Sequence, residues 1–267
     1  MLTMSRRFPY HQVMKDLKES AIQIVRTLQG KGYQAVFAGG CVRDFLMGLE
    51  PKDIDIATNA TPEQVEALFE KTIPVGKAFG VIVVVIDDEQ FDVATYRQDS
   101  PTSDGRRPDS VTFSSMREDA LRRDLTINAM FLNPLSNQVY DFVGGRSDLE
   151  ARIIRFVGNP DKRIQEDKLR MLRCLRFAVR FNFIIERATF AAVVKHAPEI
   201  KQISVERIAE EFLKILHCKD RKRAMALLIE SGIMVHIFPE IMAMKGIEQP
   251  PEFHPEGAKV RKLNSVR

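Results

Sequence analysis

The chain has 267 residues, 45% hydrophobic and 28% charged, with a formal net charge of +4. This is a globular composition, long enough for one large or two smaller domains and for a core that needs no disulfide or metal staple. Its longest apolar run, Val81 to Ile86, falls far short of the roughly 20 residues of a membrane span, and Met1 to Arg7 shows no apolar secretory region. Three scattered cysteines (Cys41, Cys174 and Cys218) and five histidines without HExxH spacing argue against a disulfide framework or a zinc site, so the expected compartment is the reducing cytoplasm.

In chain order, Val13, Leu17, Ala21, Ile24 and Leu28 recur at helical spacing and predict a helix over Tyr10 to Gln29, stopped by Gly30 and Gly32. Gln34 to Ala38 reads as a short buried strand running into Gly39-Gly40, with a second helix starting near Cys41. Asp53 to Ala57 reads as another strand. Thr61-Pro62-Glu63-Gln64 is a capping box with proline at the first helical position, predicted to open a helix to about Lys71. Val81 to Ile86 and Gln90 to Tyr96 read as a hairpin, and Ser100 to Asp109 as a loop. Further short strands are predicted at Val111 to Phe113, Val139 to Phe142 and Ile153 to Val157.

After Gly158-Asn159-Pro160 the pattern becomes helical, over roughly 161–178, 187–197, 204–217 and 220–231. The expected organisation is therefore an α/β head over residues 1–158 followed by an all-α part over 159–267, with no internal repeat. From Ala151 to Arg180 nine basic residues face three acidic ones. Such a run is either a solvated helix face or a phosphate-binding stripe.

The chemistry concentrates in a few places. In a strand, Asp53 and Asp55 would point to one face with Cα atoms roughly 6–7 Å apart. Two such carboxylates repel unless a cation lies between them, although a solvated strand face is the commoner meaning of DxD. Asp92, in the apolar segment Phe91-Asp92-Val93-Ala94, could add a third carboxylate, and three hard oxygen donors suit one or two Mg²⁺ ions. Gly39-Gly40 after a strand lets backbone N–H groups approach a triphosphate. Neither GxxxxGK[ST] nor GxGxxG is present.

Gly39-Gly40-Cys41-Val42-Arg43-Asp44, Asp53-Ile54-Asp55, Arg122-Arg123-Asp124-Leu125-Thr126-Ile127-Asn128-Ala129-Met130 and Glu166-Asp167-Lys168-Leu169-Arg170 together carry a resemblance. In order and spacing, over roughly residues 35–180, the chain resembles class II tRNA nucleotidyltransferases and the bacterial poly(A) polymerases that share their head, within the polymerase β-like superfamily. The resemblance implies a head of mixed β-sheet with flanking helices, followed by a helical neck and body. It implies that Asp53 and Asp55 bind two metal ions, Mg²⁺ or alternatively Mn²⁺, with Asp92 in the place of the next acidic residue. Gly39, Gly40 and Arg43 would contact the triphosphate, the alternative for Arg43 being a salt bridge to Asp44.

By the same resemblance Asp124 and Asn128 would contact the ribose, with Arg122 or Arg123 near the phosphates, where a plain reading is a capped loop. Asp167 and Arg170, one helical turn apart, would read the incoming base, helped by Arg173 and Glu166; otherwise they are an ordinary intrahelical ion pair. A carboxylate accepts and a guanidinium donates, so this fork suits cytosine and adenine and refuses uracil and guanine. In the loop, Arg97, Asp104 and Arg107 would serve the switch from CTP to ATP. The basic helix face, with Arg176 and Arg180, would hold the tRNA acceptor stem through phosphates and shape.

The expected function is template-independent CCA addition to tRNA 3′ ends from CTP and ATP, with no membrane and no protein partner evident. A CC-adding or A-adding specialist, a poly(A) polymerase and a non-catalytic RNA-binding protein of the same fold are the alternatives. Val75 to Val81 lacks the paired basic residues associated with the polymerase-type members, which favours tRNA repair. The cysteines are expected to be packing residues, and the end, with Ala258 to Arg267 as a foreign or frayed tail, is expected to reflect a truncated or minimal form.

Overall fold

Leu17, Ala21, Ile24, Val25 and Leu28 form one buried stripe of the first helix, α1 (Tyr10–Gly30), and this stripe closes one face of a sheet. The computed structural model describes residues 10–99 and 111–244. After α1 come β1 (Ala35–Ala38), α2 (Gly40–Leu46), β2 (Asp55–Thr58), α3 (Pro62–Glu66), β3 (Thr72–Gly76), β4 (Val81–Ile86) and β5 (Glu89–Thr95). The small ribbon β6 (Arg97–Asp99) with β7 (Val111–Phe113) precedes α4 (Met116–Leu121), β8 (Met130–Asn133), β9 (Gln138–Asp141) and α5 (Gly145–Glu150). Seven of these strands make one mixed sheet in the order β3-β4-β5-β2-β1-β8-β9.

The predicted hairpin is present. Asp87 and Asp88 both take positive φ, 52° and 63°, the geometry a two-residue turn needs between Ile86 and Glu89. The Thr61 capping box also forms, with Gln64 N–H donating to the Thr61 hydroxyl. Its helix is shorter than expected, however, ending at Glu66 rather than near Lys71. The chain leaves it because Thr72 and Ile73 pair with Val84 and Val83, making β3 an additional strand. Pro74 is tolerated there because β3 is the edge of the sheet.

The later part comprises β10 (Ile153–Ile154), α6 (Pro160–Glu166), α7 (Arg170–Phe181), β11 (Ile184–Ile185), α8 (Arg187–His196), α9 (Val205–Leu216), α10 (Arg221–Glu230), α11 (Met234–Ile237) and α12 (Pro239–Ala243). The strand expected over Ile153 to Val157 is reduced to two residues, which pair in parallel with β11. The helix expected over 161–178 is broken at Asp167, whose φ of −153° and ψ of 108° are extended. His196, buried in α8, joins α6 to the following turn: Nε2 lies 2.7 Å from Asp161 and Nδ1 2.5 Å from Glu199.

One continuous apolar cluster runs from α1 through the sheet interior to α7, α8, α9 and α10. All three cysteines lie in it, and burial pushes their thiols up, that of Cys41 to about 12. They are packing residues. Among the described residues no helix is long and apolar enough to cross a membrane.

Gly145 admits α5 against the loop that carries Asn128. A Cβ there would lie 2.2 Å from the Thr126 carbonyl oxygen, whereas at Gly30 nothing lies within 4 Å. Gly145→Ala should lower unfolding free energy by about 1–3 kcal/mol, the usual cost of overpacking, and Gly30→Ala should not destabilise the chain. Urea denaturation of both variants checks this, and equal midpoints would rule the contact out.

Candidate active site

Strands β1, β2 and β5 are neighbours at the centre of the sheet. Ala38 pairs with Asp55, and Ile56 pairs in parallel with Val93. Continued by one residue, that register sets Asp92 beside Asp55. Ile56, Phe91 and Val93 are buried, while Asp55 and Asp92 are exposed on the opposite face. Period-two alternation thus aims two carboxylates away from the core. Asp53 differs from expectation in one respect: β2 begins at Asp55, so Asp53 stands just before the strand and is not held by pairing.

The three carboxylates nevertheless share one field. The Asp55 carboxyl is pushed up to about 6, first by loss of hydration among the surrounding atoms, then by Asp53 and Asp92, with Arg123 opposing. It keeps some solvent-accessible surface, but its ionised form is still disfavoured. Hard oxygen donors with an unrelieved negative field are what a divalent cation binds, and Asp53 and Asp55 are the residues that could hold it. Among the described residues no three His, Cys, Asp or Glu side chains are already gathered into a metal-holding cluster. The carboxylates are adjacent rather than converged.

The diglycine leaves the sheet at the same end. Gly39 has φ 75° and ψ −127°, which a side chain would make strained, and its N–H donates to the Met130 carbonyl at 3.1 Å. A Cβ on Gly39 would come within 2.7 Å of Arg123 Nη1. Arg123 is therefore the arginine beside the diglycine, a choice left open by the motif alone. Buried Asp119 holds it through Nε at 3.1 Å and Nη2 at 2.9 Å; Nη1 donates to the Asn128 carbonyl at 3.2 Å, and the guanidinium lies 5.0 Å over Phe131. Arg122 pairs with the other Asp119 oxygen at 2.6 Å.

Arg43 is buried and committed. Its Nε and Nη2 donate to Asp44 Oδ1 at 2.9 and 2.7 Å, and Nη1 donates to the Asn128 side-chain oxygen. Phe177 and Phe181 of α7 lie 5.2 and 4.6 Å from the guanidinium. Of the two readings of Arg43, this geometry displays the salt bridge to Asp44.

Asp124 and Asn128 are also buried and joined, at 3.4 Å. Asp124 accepts from Leu125 N–H at 2.7 Å and from Arg173 Nε and Nη2 at 2.7 and 2.6 Å. The Arg173 guanidinium outweighs the opposing effect of burial and holds the Asp124 carboxyl at about 2. This corrects the expectation for Arg173, which braces Asp124 rather than the pair Asp167 and Arg170.

That pair is not formed either. Because Asp167 breaks the helix, it does not share a helical face with Arg170. Its carboxylate accepts from Leu169 N–H at 3.0 Å and from Arg207 of α9 at 2.8 Å. Arg170 instead pairs with Glu166 at 2.5 Å and donates to the carbonyls of Arg163 and Arg122 at 3.1 and 3.3 Å. Glu166 thus holds Arg170 and not a pair of Asp167 with Arg170.

The basic run over 151–180 is largely answered by counter-charges: Arg155 by Asp148 and Glu186, Arg163 by Glu166, Lys168 by Glu199. Arg176 does not present itself as an RNA contact; its guanidinium is mostly buried against Phe177 and bonded to Glu211. Arg180 remains more open, 42% exposed, and lies 3.9 Å from Asp44. Arg97 starts β6 and donates to the Phe79 carbonyl. Asp104 and Arg107 lie outside the described residues, as does the segment from Ala258.

Asp119 and Arg207 escaped the sequence reading. Asp119 carried a signal, since it sits three and four residues before Arg122 and Arg123 in a helix with a Ser115 capping box. Arg207 carried none, lying 40 positions from Asp167.

The buried bond between Asp124 and Arg173 sets a pH dependence. The Asp124 pKa of about 2 lies below the ordinary 3.8, so its stabilisation is present above about 4 and is lost as pH falls toward 2. Asp124→Asn should cost about 2 kcal/mol at neutral pH. The loss should shrink in acid, where the parent's carboxylate is protonated. Denaturation midpoints of both proteins measured from neutral to acid pH check this; a constant difference would contradict it.

Two family models match the chain: the "Poly A polymerase head domain" over residues 35–155, and the "Probable RNA and SrmB- binding site of polymerase A" over 182–245. The CCA-adding enzyme of Bacillus pumilus is 47% identical over 214 residues, 80% of this chain and 53% of the relative. That of Enterococcus faecalis is 43% identical over 220 residues, 82% and 54%. The crystal structure of the Bacillus stearothermophilus CCA-adding enzyme in complex with CTP matches with a TM-score of 0.75 and 42% identity, covering 80% of this chain and 52% of that one. A complex of a CCA-adding enzyme with ATP matches with a TM-score of 0.70 and 26% identity, covering 84% and 52%. The chain thus spans about half the length of the curated relatives it matches. Sequence motifs, sheet order and relatives agree, and the chain belongs to the family of tRNA nucleotidyltransferases and poly(A) polymerases.

Proposed function

We propose that this chain is the catalytic part of a cytoplasmic CCA-adding tRNA nucleotidyltransferase, extending tRNA 3′ ends with CMP and AMP from CTP and ATP. The observation that carries the proposal is the in-register placement of Asp55 and Asp92 beside the diglycine at the start of α2. Relatives at 40–47% identity bearing the name CCA-adding enzyme support the choice of reaction over the poly(A) alternative.

In this reading the head, up to residue 158, performs the transfer and the helical part from 159 holds the acceptor stem. Asp53 and Asp55 would hold two Mg²⁺ ions, with Asp92 alongside. Bound metal supplies Lewis acidity, lowering the pKa of the primer hydroxyl and neutralising charge on the leaving pyrophosphate. Gly39 and Gly40 allow the triphosphate close to the backbone, and Arg123, fixed by Asp119, presents positive charge at that point. Arg43 lies next to Gly40 and exchanges its bond to Asn128 for a phosphate oxygen. Asp124 and Asn128 hold the ribose 2′-hydroxyl, a group that a deoxynucleotide lacks. Asp167 and Arg170 read the base, accepting its amino group and donating to its ring nitrogen. The primer 3′-oxygen forms a bond to the α-phosphorus as the bond to the β-phosphate breaks.

The test is extension of tRNA transcripts ending before CCA, after CC and after CCA, with Mg²⁺ and each nucleotide singly and together. The expected result is addition that stops after CCA, with incorporation by Asp53→Ala/Asp55→Ala reduced at least about a thousandfold. Long A tails would select a poly(A) polymerase, and CC only or A only a specialist. Absence of incorporation by folded, metal-supplied protein would refute the assignment for this chain.

A further inference from the structure

Asp167 and Arg207 come from distant places, the break between α6 and α7 and the first turns of α9, and meet at 2.8 Å with side chains 21% and 17% exposed. One Asp167 oxygen accepts from Arg207 and the other from Leu169 N–H at 3.0 Å. The carboxylate is thereby held at two points, from two elements. Arg170, three residues after Asp167, is engaged by Glu166 and by two carbonyls. α9 is itself seated on α7: Glu211, one turn after Arg207, is buried and accepts from Arg176, and Ile215, one turn further, is buried in the core. The guanidinium that holds Asp167 therefore rests on a helix fixed by packing.

We propose that Arg207 is a positioning residue for nucleotide selection: by fixing one Asp167 oxygen it keeps the carboxylate turned so that its remaining lone pairs meet the amino group of cytosine or adenine. The inference rests on the reading of Asp167 as a base-recognising group. Its physical content is that an acceptor discriminates against a carbonyl only while its direction is fixed. A carboxylate free to rotate finds Arg170 or water instead, and preference between an amino and a carbonyl edge is lost. α9 lies within the stretch matched as a probable RNA-binding region, so the bond ties that stretch to Asp167.

The test is equilibrium binding of CTP, ATP, UTP and GTP, with Mg²⁺, to the full 267-residue chain and to Arg207→Ala, Arg207→Lys and Asp167→Ala, with thermal midpoints recorded in parallel. Arg207→Ala should reduce the CTP-to-UTP affinity ratio about tenfold, the loss expected for one charge-assisted hydrogen bond. Arg207→Lys should restore part of it, since an ammonium keeps the charge but not the planar fork. A merely structural arginine would lower affinity for all four nucleotides together and leave the ratio unchanged. That result, with a ratio that collapses in Asp167→Ala, would overturn the role of Arg207 alone. A ratio near one in the unsubstituted chain, or one unmoved by Asp167→Ala, would instead refute base reading by Asp167, and the positioning role with it. If Arg207→Ala does not fold, Arg207→Lys and Arg207→Gln decide: the ratio should stay higher in the lysine variant, and equality would count against the proposal.

Discussion

A charge removed from water must meet an opposite charge, and the junction between the sheet and α7 is organised by that requirement. Arg43 is answered by Asp44, Asp119 by two arginines, Asp124 by Arg173, Arg176 by Glu211 and Asp167 by Arg207. Apart from Arg43 and Asp44, which are neighbours within α2, each pair joins two elements or pins a loop to a helix. Aromatic rings complete the arrangement, with Phe177 and Phe181 against Arg43 and Phe131 against Arg123. Removing either member of such a pair leaves the other buried and unanswered, so the network fixes side-chain directions as well as adding stability.

Against this paired background the carboxylates at the sheet end differ. Asp53, Asp55 and Asp92 repel one another, and the main charge opposing them at Asp55 is Arg123. The hydrophobic sheet holds Asp55 and Asp92 together, since Ile56 and Val93 are buried and in register. The energy that seats those apolar residues opposes the electrostatic cost of adjacent carboxylates. This imbalance is what a nucleotide with its metal would relieve, so the strain lies where chemistry is proposed.

The same network bears on selectivity. Two ion pairs, Glu166 with Arg170 and Asp167 with Arg207, replace the single pair that sequence spacing suggested. Head and helical part also share one apolar cluster and the parallel pairing of β10 with β11. The change of texture at residue 158 therefore does not interrupt the packing.

The sequence by itself determined whatever depends on neighbours along the chain. The stripe of α1, the Thr61 cap, the hairpin at Asp87-Asp88 and the glycine at position 39 follow from periodicity, capping chemistry and backbone sterics, which act over a few residues. The motifs likewise marked Asp53, Asp55, Asp124 and Asn128, and the apolar segment around Asp92 marked that residue. Tertiary structure decided what depends on partners far away. It ended α3 early by pairing β3 with β4, broke the helix at Asp167, gave Arg173 to Asp124, and chose Arg123 over Arg122 for the diglycine. The reason is the same throughout. A charged side chain has several possible partners of similar local merit, and only the packed fold, by excluding water from some and leaving others exposed, determines which pair forms.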